Sequence, residues 1–360
     1  MSATYRIIGL MSGSSLDGLD ICLATFEVSD NQEVLSFSVL QTEAVDFSDA
    51  FIKRWRQVPE ASAIELARLH ADTGRYFGQL TRDFIHRHGL KNIDAVASHG
   101  YTVFHQPEAG FTTQIGCGAQ LAAQTQCRVI TDFRMADVAA GGQGAPLVPF
   151  AERHLFPQYR TFLNIGGIVN ISFHPKENAD AVIAYDVCAG NTLLNYLARE
   201  KGSEYDKDGA WARSGKILPE LLRELNEIPF CAAAYPKSLG TEHVQEYWLQ
   251  RIIASSGSVE DKLATAVEHI AMQVAAAVAR QSQAADMLVT GGGALNKYLV
   301  ERIQVHLSGK VIVPDITIVQ FKEALLMALL GLFRLREWAN VLNSATGAAK
   351  STCGGAIYLP

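Results

Sequence analysis

Ile7-Ile8-Gly9-Leu10-Met11-Ser12-Gly13-Ser14-Ser15-Leu16-Asp17-Gly18-Leu19-Asp20-Ile21-Cys22-Leu23-Ala24-Thr25-Phe26 is the stretch on which the reading of the fold turns. Two apolar runs flank a turn of small, hydroxyl and acidic residues, the pattern of strand, tight polar turn, strand. Glycines and serines there let backbone N–H groups approach a ligand without a side-chain barrier, which is what a polyphosphate requires. A second unit of this kind lies halfway along, where Thr161-Phe162-Leu163-Asn164-Ile165 passes through Gly166-Gly167 into Ile168-Val169-Asn170-Ile171-Ser172-Phe173. A third glycine turn, Gly291-Gly292-Gly293, follows the short apolar strand 286–290 and precedes a helical pattern over 294–306.

Each hairpin heads a half-chain of alternating helix and strand, so the spacing predicts two α/β lobes built on one plan. Helical spacing covers 64–88, 119–126, 192–200, 261–281 and 321–338. Strands are expected at 93–98, 128–132 and 181–185, with the tail 353–359 as a closing strand that returns to the first lobe. At 360 residues the chain also exceeds the ~250–300 at which one core usually splits. The expected lobes are 1–134 with 340–360, carrying the first phosphate hairpin, and 135–339, carrying the second hairpin and the adenosine glycine loop.

Competing phosphate loops fail by letter. Gly13 and Gly18 have P-loop spacing, but Leu19-Asp20 stands where Lys-Ser/Thr is required. Gly116-Cys117-Gly118 opens like a dinucleotide fingerprint, yet Leu121 holds the third glycine position. Net charge of −6 with no long basic run argues against nucleic acid. Six scattered cysteines without a Cys-x-x-Cys pair fit a reducing compartment. No stretch of the ~18 apolar residues of a membrane span is expected, so a cytoplasmic protein without a membrane partner is expected.

ATP is therefore the expected ligand, with Gly13, Ser14, Ser15, Leu16, Asp17, Gly18, Leu19, Asp20, Asn164, Gly166, Gly167, Gly291, Gly292 and Gly293 as its binding residues. Asp17 and Asp20 are placed to hold Mg2+ through water, since that ion keeps several of its waters when it accompanies phosphates.

The same residues carry a resemblance. Gly9 to Asp20, Ser98-His99-Gly100, Thr131-Asp132-Phe133-Arg134, Ala140-Gly141-Gly142-Gln143-Gly144-Ala145-Pro146-Leu147-Val148-Pro149, Asn164 to Gly167, Tyr205-Asp206-Lys207-Asp208-Gly209 and Gly291 to Ala294 together resemble the anhydro-N-acetylmuramic acid kinases over nearly the whole chain. These belong to the actin, hexokinase and Hsp70 ATPase superfamily. The resemblance implies a two-lobed actin-like (ribonuclease H-like) α/β fold with a central ATP/sugar cleft. It implies an enzyme of peptidoglycan recycling that opens the 1,6-anhydro bridge of an amino sugar with water and phosphorylates O6, and it admits a homodimer.

Under that resemblance, Asp186 is the candidate general base, read as following a strand and preceding a helix, at a sheet's carboxyl end. The alternative is an Asp that braces the turn. Arg134 suits the substrate's lactyl carboxylate through a bidentate contact or else ties down a loop. His99 either hydrogen-bonds the sugar or is held for structure, and Asp132 and Asn191 join the substrate list. Gln143 and Gly144, read as a glycine-rich link between the halves, touch ligand or act as a hinge. Glu323 matches a family position, although a charge at a helix start is also favoured by the helix dipole.

The chain departs from the family pattern at several places. Val187-Cys188-Ala189 replaces Thr-Gly-Pro, Asn195 stands where a second Asp is usual, Tyr101 where Gln is usual and Cys117 where Asp is usual. These departures are expected to cluster on the sugar side, which keeps a kinase of the same fold for another anhydro or amino sugar in view. An Hsp70- or actin-like switch would need a peptide-binding domain or polymer interface, for which a chain ending at Pro360 leaves no room. A sugar-responsive repressor would need a helix-turn-helix ahead of the hairpin.

Overall fold

The computed structural model describes residues 2–13, 16, 18–176, 181–281 and 286–360. Ser14, Ser15 and Asp17 of the first phosphate turn lie outside the described residues. The chain divides into two compact units, Met1–Pro157 with Phe321–Pro360, and Gln158–Gln320. One unit is nested inside the other in sequence, as expected, but the joints differ from the expected 134/135 and 339/340. The helix Val148–Leu155 packs on the first unit, where Phe150 meets Phe333 edge-on at 4.8 Å, and this carries the boundary past residue 150.

In the first unit, β1 (Ser2–Ser12), β2 (Gly18–Ser29) and β3 (Val34–Asp46) form an antiparallel meander. β4 (Ala95–Ser98) runs parallel to β1. β5 (Tyr101–Gln106) and β6 (Phe111–Ile115) make a separate two-stranded ribbon. β7 (Val129–Thr131) lies parallel to β4, and the C-terminal strand Ala356–Tyr358 closes the edge antiparallel to β7, which bears out the return of the tail. Alternation along β1 sends Ile8 and Leu10 to one face, packed with Leu69, Phe77, Phe84 and Leu121.

The other face is covered by the apolar helix Ile316–Leu335, which begins five residues before the expected Phe321 and is broken at Phe321 (φ −112°, ψ 15°). Its close approach explains Gly9: a Cβ there would sit 1.8 Å from the carbonyl oxygen of Ala324. Contrary to the sequence reading, this helix is long and apolar enough to cross a bilayer, with a mean hydropathy of 1.7 over 18 residues. Two thirds of that window is buried inside the protein, as a helix apolar on all sides requires when it fills a core.

The second unit repeats the plan. β8 (Thr161–Ile165), β9 (Ile168–Phe173) and β10 (Ile183–Ala189) form the meander; β11 (Met287–Thr290) runs parallel to β8, and β12 (Val311–Ile312) parallel to β11. Both sheets thus place the third, second and first strands of a meander before two parallel strands, which is the ribonuclease H-like order. The expectation of two α/β lobes on one plan is borne out. The helices Asn191–Glu200 and Val259–Arg280 bury Leu193, Leu197, Val267, Ile270 and Val274 against this sheet.

Candidate active site

In the second unit, Asp186 does not follow a strand; it lies inside β10, where the register slips between Asp186 and Cys188. A bulge of this kind re-aims side chains and is common beside active sites. The carboxylate is held from two directions. Oδ1 accepts from the Nδ2 amide of Asn170 on the neighbouring strand. Oδ2 accepts from the backbone N–H of Leu239 at 2.7 Å and from the Ser238 hydroxyl at 3.3 Å. The loop carrying those two donors is anchored by Lys237, whose ammonium donates to the carbonyl of Phe230 at 2.9 Å and lies over the Phe230 ring. Burial pushes the Lys237 ammonium below its usual range.

The second hairpin is held by its own unit's helix. The backbone N–H of Asn191 donates to the carbonyl of Gly166 at 2.8 Å, and its side-chain amide to that of Ile165 at 3.2 Å. The amide of Asn164 is engaged by Asn170 and Thr290. Gly291 has φ +82°, and a Cβ there would lie 2.7 Å from the carbonyl oxygen of Ile165 and 2.9 Å from Oδ1 of Asn164. The helix expected from Ala294 starts later: a 3-10 turn spans Gly292–Leu295, and Asn296 caps the helix Lys297–His306 by accepting from the N–H of Leu299 at 3.0 Å.

Gly292 and Gly293 line a cavity of about 460 Å3 together with Asn191, Asn195, Tyr205, Asp206, Leu295 and Asn296. Tyr205, 60% exposed, lines this cavity with an aromatic side chain. The Asp206 carboxylate is engaged by the backbone N–H groups of Trp211 and Ala212 at 3.0 and 2.9 Å, so it shapes the wall. Gly291→Ala should lower stability, because a non-glycine residue held at positive φ costs on the order of 1–3 kcal/mol even before the clash. A thermal melt checks this.

In the first unit, the first hairpin is tied to the His99-Gly100 turn: the Ser12 hydroxyl donates to the carbonyl of Gly100 at 2.9 Å, and the N–H of His99 to that of Leu10 at 3.1 Å. His99 is buried. Its Nδ1 donates to the Gly100 carbonyl at 3.0 Å, so its Nε2 accepts from Nε of Arg134 at 2.9 Å. Burial, and then the adjacent guanidinium, push His99 down to about 3, so the ring is neutral at physiological pH. Arg134 also donates from Nη1 to the carbonyl of Gly144 at 2.6 Å, which realises its loop-tying reading. Burial lowers Arg134 to about 10 against the opposing pull of Glu323, so it stays charged.

The Gly141–Gly144 loop lies inside the first unit and is pinned, which corrects its reading as a link and hinge between the halves. Buried Asp137 accepts from the N–H of Gly144 at 2.8 Å and from the Thr346 hydroxyl at 2.8 Å, while the N–H of Gln143 donates to the carbonyl of Thr346 at 2.8 Å. Asp132 has a left-handed backbone, φ +63°, and burial raises its carboxyl. With His70, His99, Gln114, Thr131 and Tyr358 it lines a cavity of about 250 Å3. Glu323 is exposed two residues past the break at Phe321, inside the helix and not at its start.

Asn195 lines the 460 Å3 cavity beside the glycine loop, Tyr101 stacks on Trp55 at 5.4 Å, and Cys117 precedes the helix Gly118–Thr125. Asn170, Ser238, Leu239 and Tyr205 were missed in the sequence. Two asparagines inside otherwise apolar hairpin strands, Asn164 and Asn170, were the available signal.

Among the described residues, no three His, Cys, Asp or Glu side chains gather as a metal cage. Asp20, half-buried on β2, fits an ion held mainly by phosphate and water, which needs no such cage.

A family model described as anhydro-N-acetylmuramic acid kinase matches residues 5–360. A protein of that name from Shewanella amazonensis is 35% identical over 98% of this chain and 98% of its own. One from Shewanella baltica is 37% identical over 84% of each chain. Among solved structures, the activator of the 2-hydroxyisocaproyl-CoA dehydratase from Clostridium difficile aligns with a TM-score of 0.44 at 14% identity, covering 92% of this chain and 96% of that one.

Proposed function

The chain belongs to the anhydro-N-acetylmuramic acid kinase family, and on that premise we propose that it uses ATP and water to convert anhydro-N-acetylmuramic acid to N-acetylmuramate 6-phosphate and ADP. The observation that carries this reading is the Asp186 carboxylate, oriented by three donors at a bulge in β10. As general base it takes a proton from water, whose oxygen attacks the anomeric carbon. The bond from that carbon to O6 breaks with its electron pair going to O6. O6 attacks the γ-phosphorus, and the β,γ-bridging bond breaks with its electrons leaving on ADP.

Phosphoryl transfer of this kind depends on positioning and charge neutralisation more than on covalent help. The roomy cavity beside Gly292 and Gly293 suits the nucleoside, with Tyr205 against the base. The hairpin from Gly13 to Asp20 suits the phosphates and, through water, Mg2+, which supplies charge neutralisation there when bound. Arg134, fixed by His99 and Gly144, suits the lactyl carboxylate. An ATP-consuming step of this kind suits a cytoplasmic enzyme of peptidoglycan recycling.

Coupled ADP release should require anhydro-N-acetylmuramic acid, with N-acetylglucosamine, which lacks the lactyl carboxylate, and N-acetylmuramic acid, which lacks the 1,6-anhydro bond whose opening frees O6, each giving under about a hundredth of the rate. Sugar-independent ATP turnover at a comparable rate would reject the reading.

A further inference from the structure

Four aligned residues cross the sheet of the second unit. Asp186 on β10 stands opposite Asn170 on β9, Asn170 opposite Asn164 on β8, and Asn164 opposite Thr290 on β11. Residues paired in register share a face, so these side chains form one row. Contacts run its whole length: Asn170 to Asp186, Asn164 to Asn170 at 3.5 Å, and Thr290 to Asn164 at 3.5 Å.

The polarity of the row follows from one end. An ionised carboxylate only accepts, so Asn170 must present its NH2 group to Asp186. That turns the carbonyl oxygen of Asn170 toward Asn164, which must then present its own NH2. The oxygen of Asn164 is left facing the Thr290 hydroxyl, which donates. Every donor in the row therefore points toward Asp186. The far end, Thr290, immediately precedes Gly291, and Asn164 precedes Gly166-Gly167, so the row begins where both glycine loops leave the sheet.

We propose that Asn170 is the positioning residue of the general base, fixing the Asp186 carboxylate by a donor from the sheet while the 237–240 loop fixes it from the other side. This rests on the reading of Asp186 as the base. A carboxylate held by Leu239 and Ser238 alone, through Oδ2, is free to swing about that contact; the Asn170 amide on Oδ1 removes the freedom. The lone pair that takes the proton from water is then aimed by two elements distant in sequence. Displacing a reacting group by about 1 Å is enough to lower a rate on the order of 100-fold.

The test compares Asn170→Leu and Asn170→Ser, each alone and combined with Asp186→Asn, in the full chain. Asn170→Leu is expected to lower kcat on the order of 100-fold, with KM for ATP and for sugar changing by less than about threefold. Asn170→Ser, a smaller change that leaves the sheet's packing room to adjust, should show the same split if the leucine variant does not fold. On the Asp186→Asn background either substitution should cost less than about threefold more, since the group it positions is already gone. Wild-type kcat in both variants, a rise in KM that accounts for the loss, or a full multiplicative loss on the Asp186→Asn background overturns the positioning role alone. Near-normal turnover of Asp186→Asn itself overturns the base assignment, and the positioning role with it.

Discussion

Asp186→Asn is expected to lower kcat by roughly 10²- to 10⁴-fold while ATP affinity stays within about threefold. The substitution removes the proton acceptor and leaves the shape. The backbone N–H of Leu239 still finds a carbonyl oxygen, and the new NH2 group then faces Asn170. Asn170 and Asn164 can each turn their amides over, so the row across the sheet reverses its polarity and stays bonded, provided the Thr290 hydroxyl accepts instead of donating. The melting temperature should therefore move by only a few degrees. Single-turnover rates and equilibrium ATP titrations check this, and a large fall in melting temperature would assign Asp186 to bracing the fold.

Acid should unfold the protein at a milder pH than its carboxylates alone would predict. His99 in the first unit and His269 in the second are buried and His154 in the first is half-buried, and desolvation pushes them down from 6.5 to about 3, 3 and 4 respectively. His269 accepts from the Trp248 indole at 2.9 Å and faces Asn226 through its other nitrogen, a network built for a neutral ring. Between those low values and 6.5 the unfolded chain binds a proton on each ring and the native chain does not. Unfolding free energy therefore falls as pH falls below 6.5, by up to ~1.4 kcal/mol per pH unit for each histidine, and this contribution levels off once the native rings also protonate. Thermal melts followed by far-UV circular dichroism from pH 7.5 to 4.5 should show a steady loss of stability below pH 6.5. Melting temperatures flat between pH 7 and 5 would reject it.

What was legible in the sequence was local. The hairpin at Gly13–Gly18, the turn at Gly166-Gly167 and the loop at Gly291–Gly293 each announce themselves by an apolar strand followed by residues that only a turn tolerates. Long helices such as Ala63–Arg87 carry their own periodicity and their own cap, Ser62, which accepts from the N–H of Glu65. β3 went unread because its exposed and half-buried positions follow no clean alternation. The helix beginning at Ile316 was placed late although Asp315, which accepts from the N–H of Thr317 at 2.8 Å, marks its start. Asp186 was singled out, but its three donors come from a neighbouring strand and from a loop about fifty residues further on. That kind of information exists only after the sheet has formed. Arg134 shows the same limit: its type suggested a ligand, while its present partners, His99 and Gly144, depend on how three separate segments meet.

The C-terminal strand Ala356–Tyr358, which completes the first unit's sheet beside β7, sets an order of events during synthesis. The second unit, 158–320, is continuous and holds all five of its strands once residue 312 is made. The first unit is not: its meander emerges early, but the helix that covers one face and the strand that closes one edge lie beyond residue 315. At about 5–20 residues per second, the roughly 200 residues that follow Pro157 take about 10–40 s, and for that interval the nascent sheet has one bare apolar face and one open edge at β7. The part of the molecule made first is thus the last to become stable, and it is the part that a chaperone bound to the ribosome would meet.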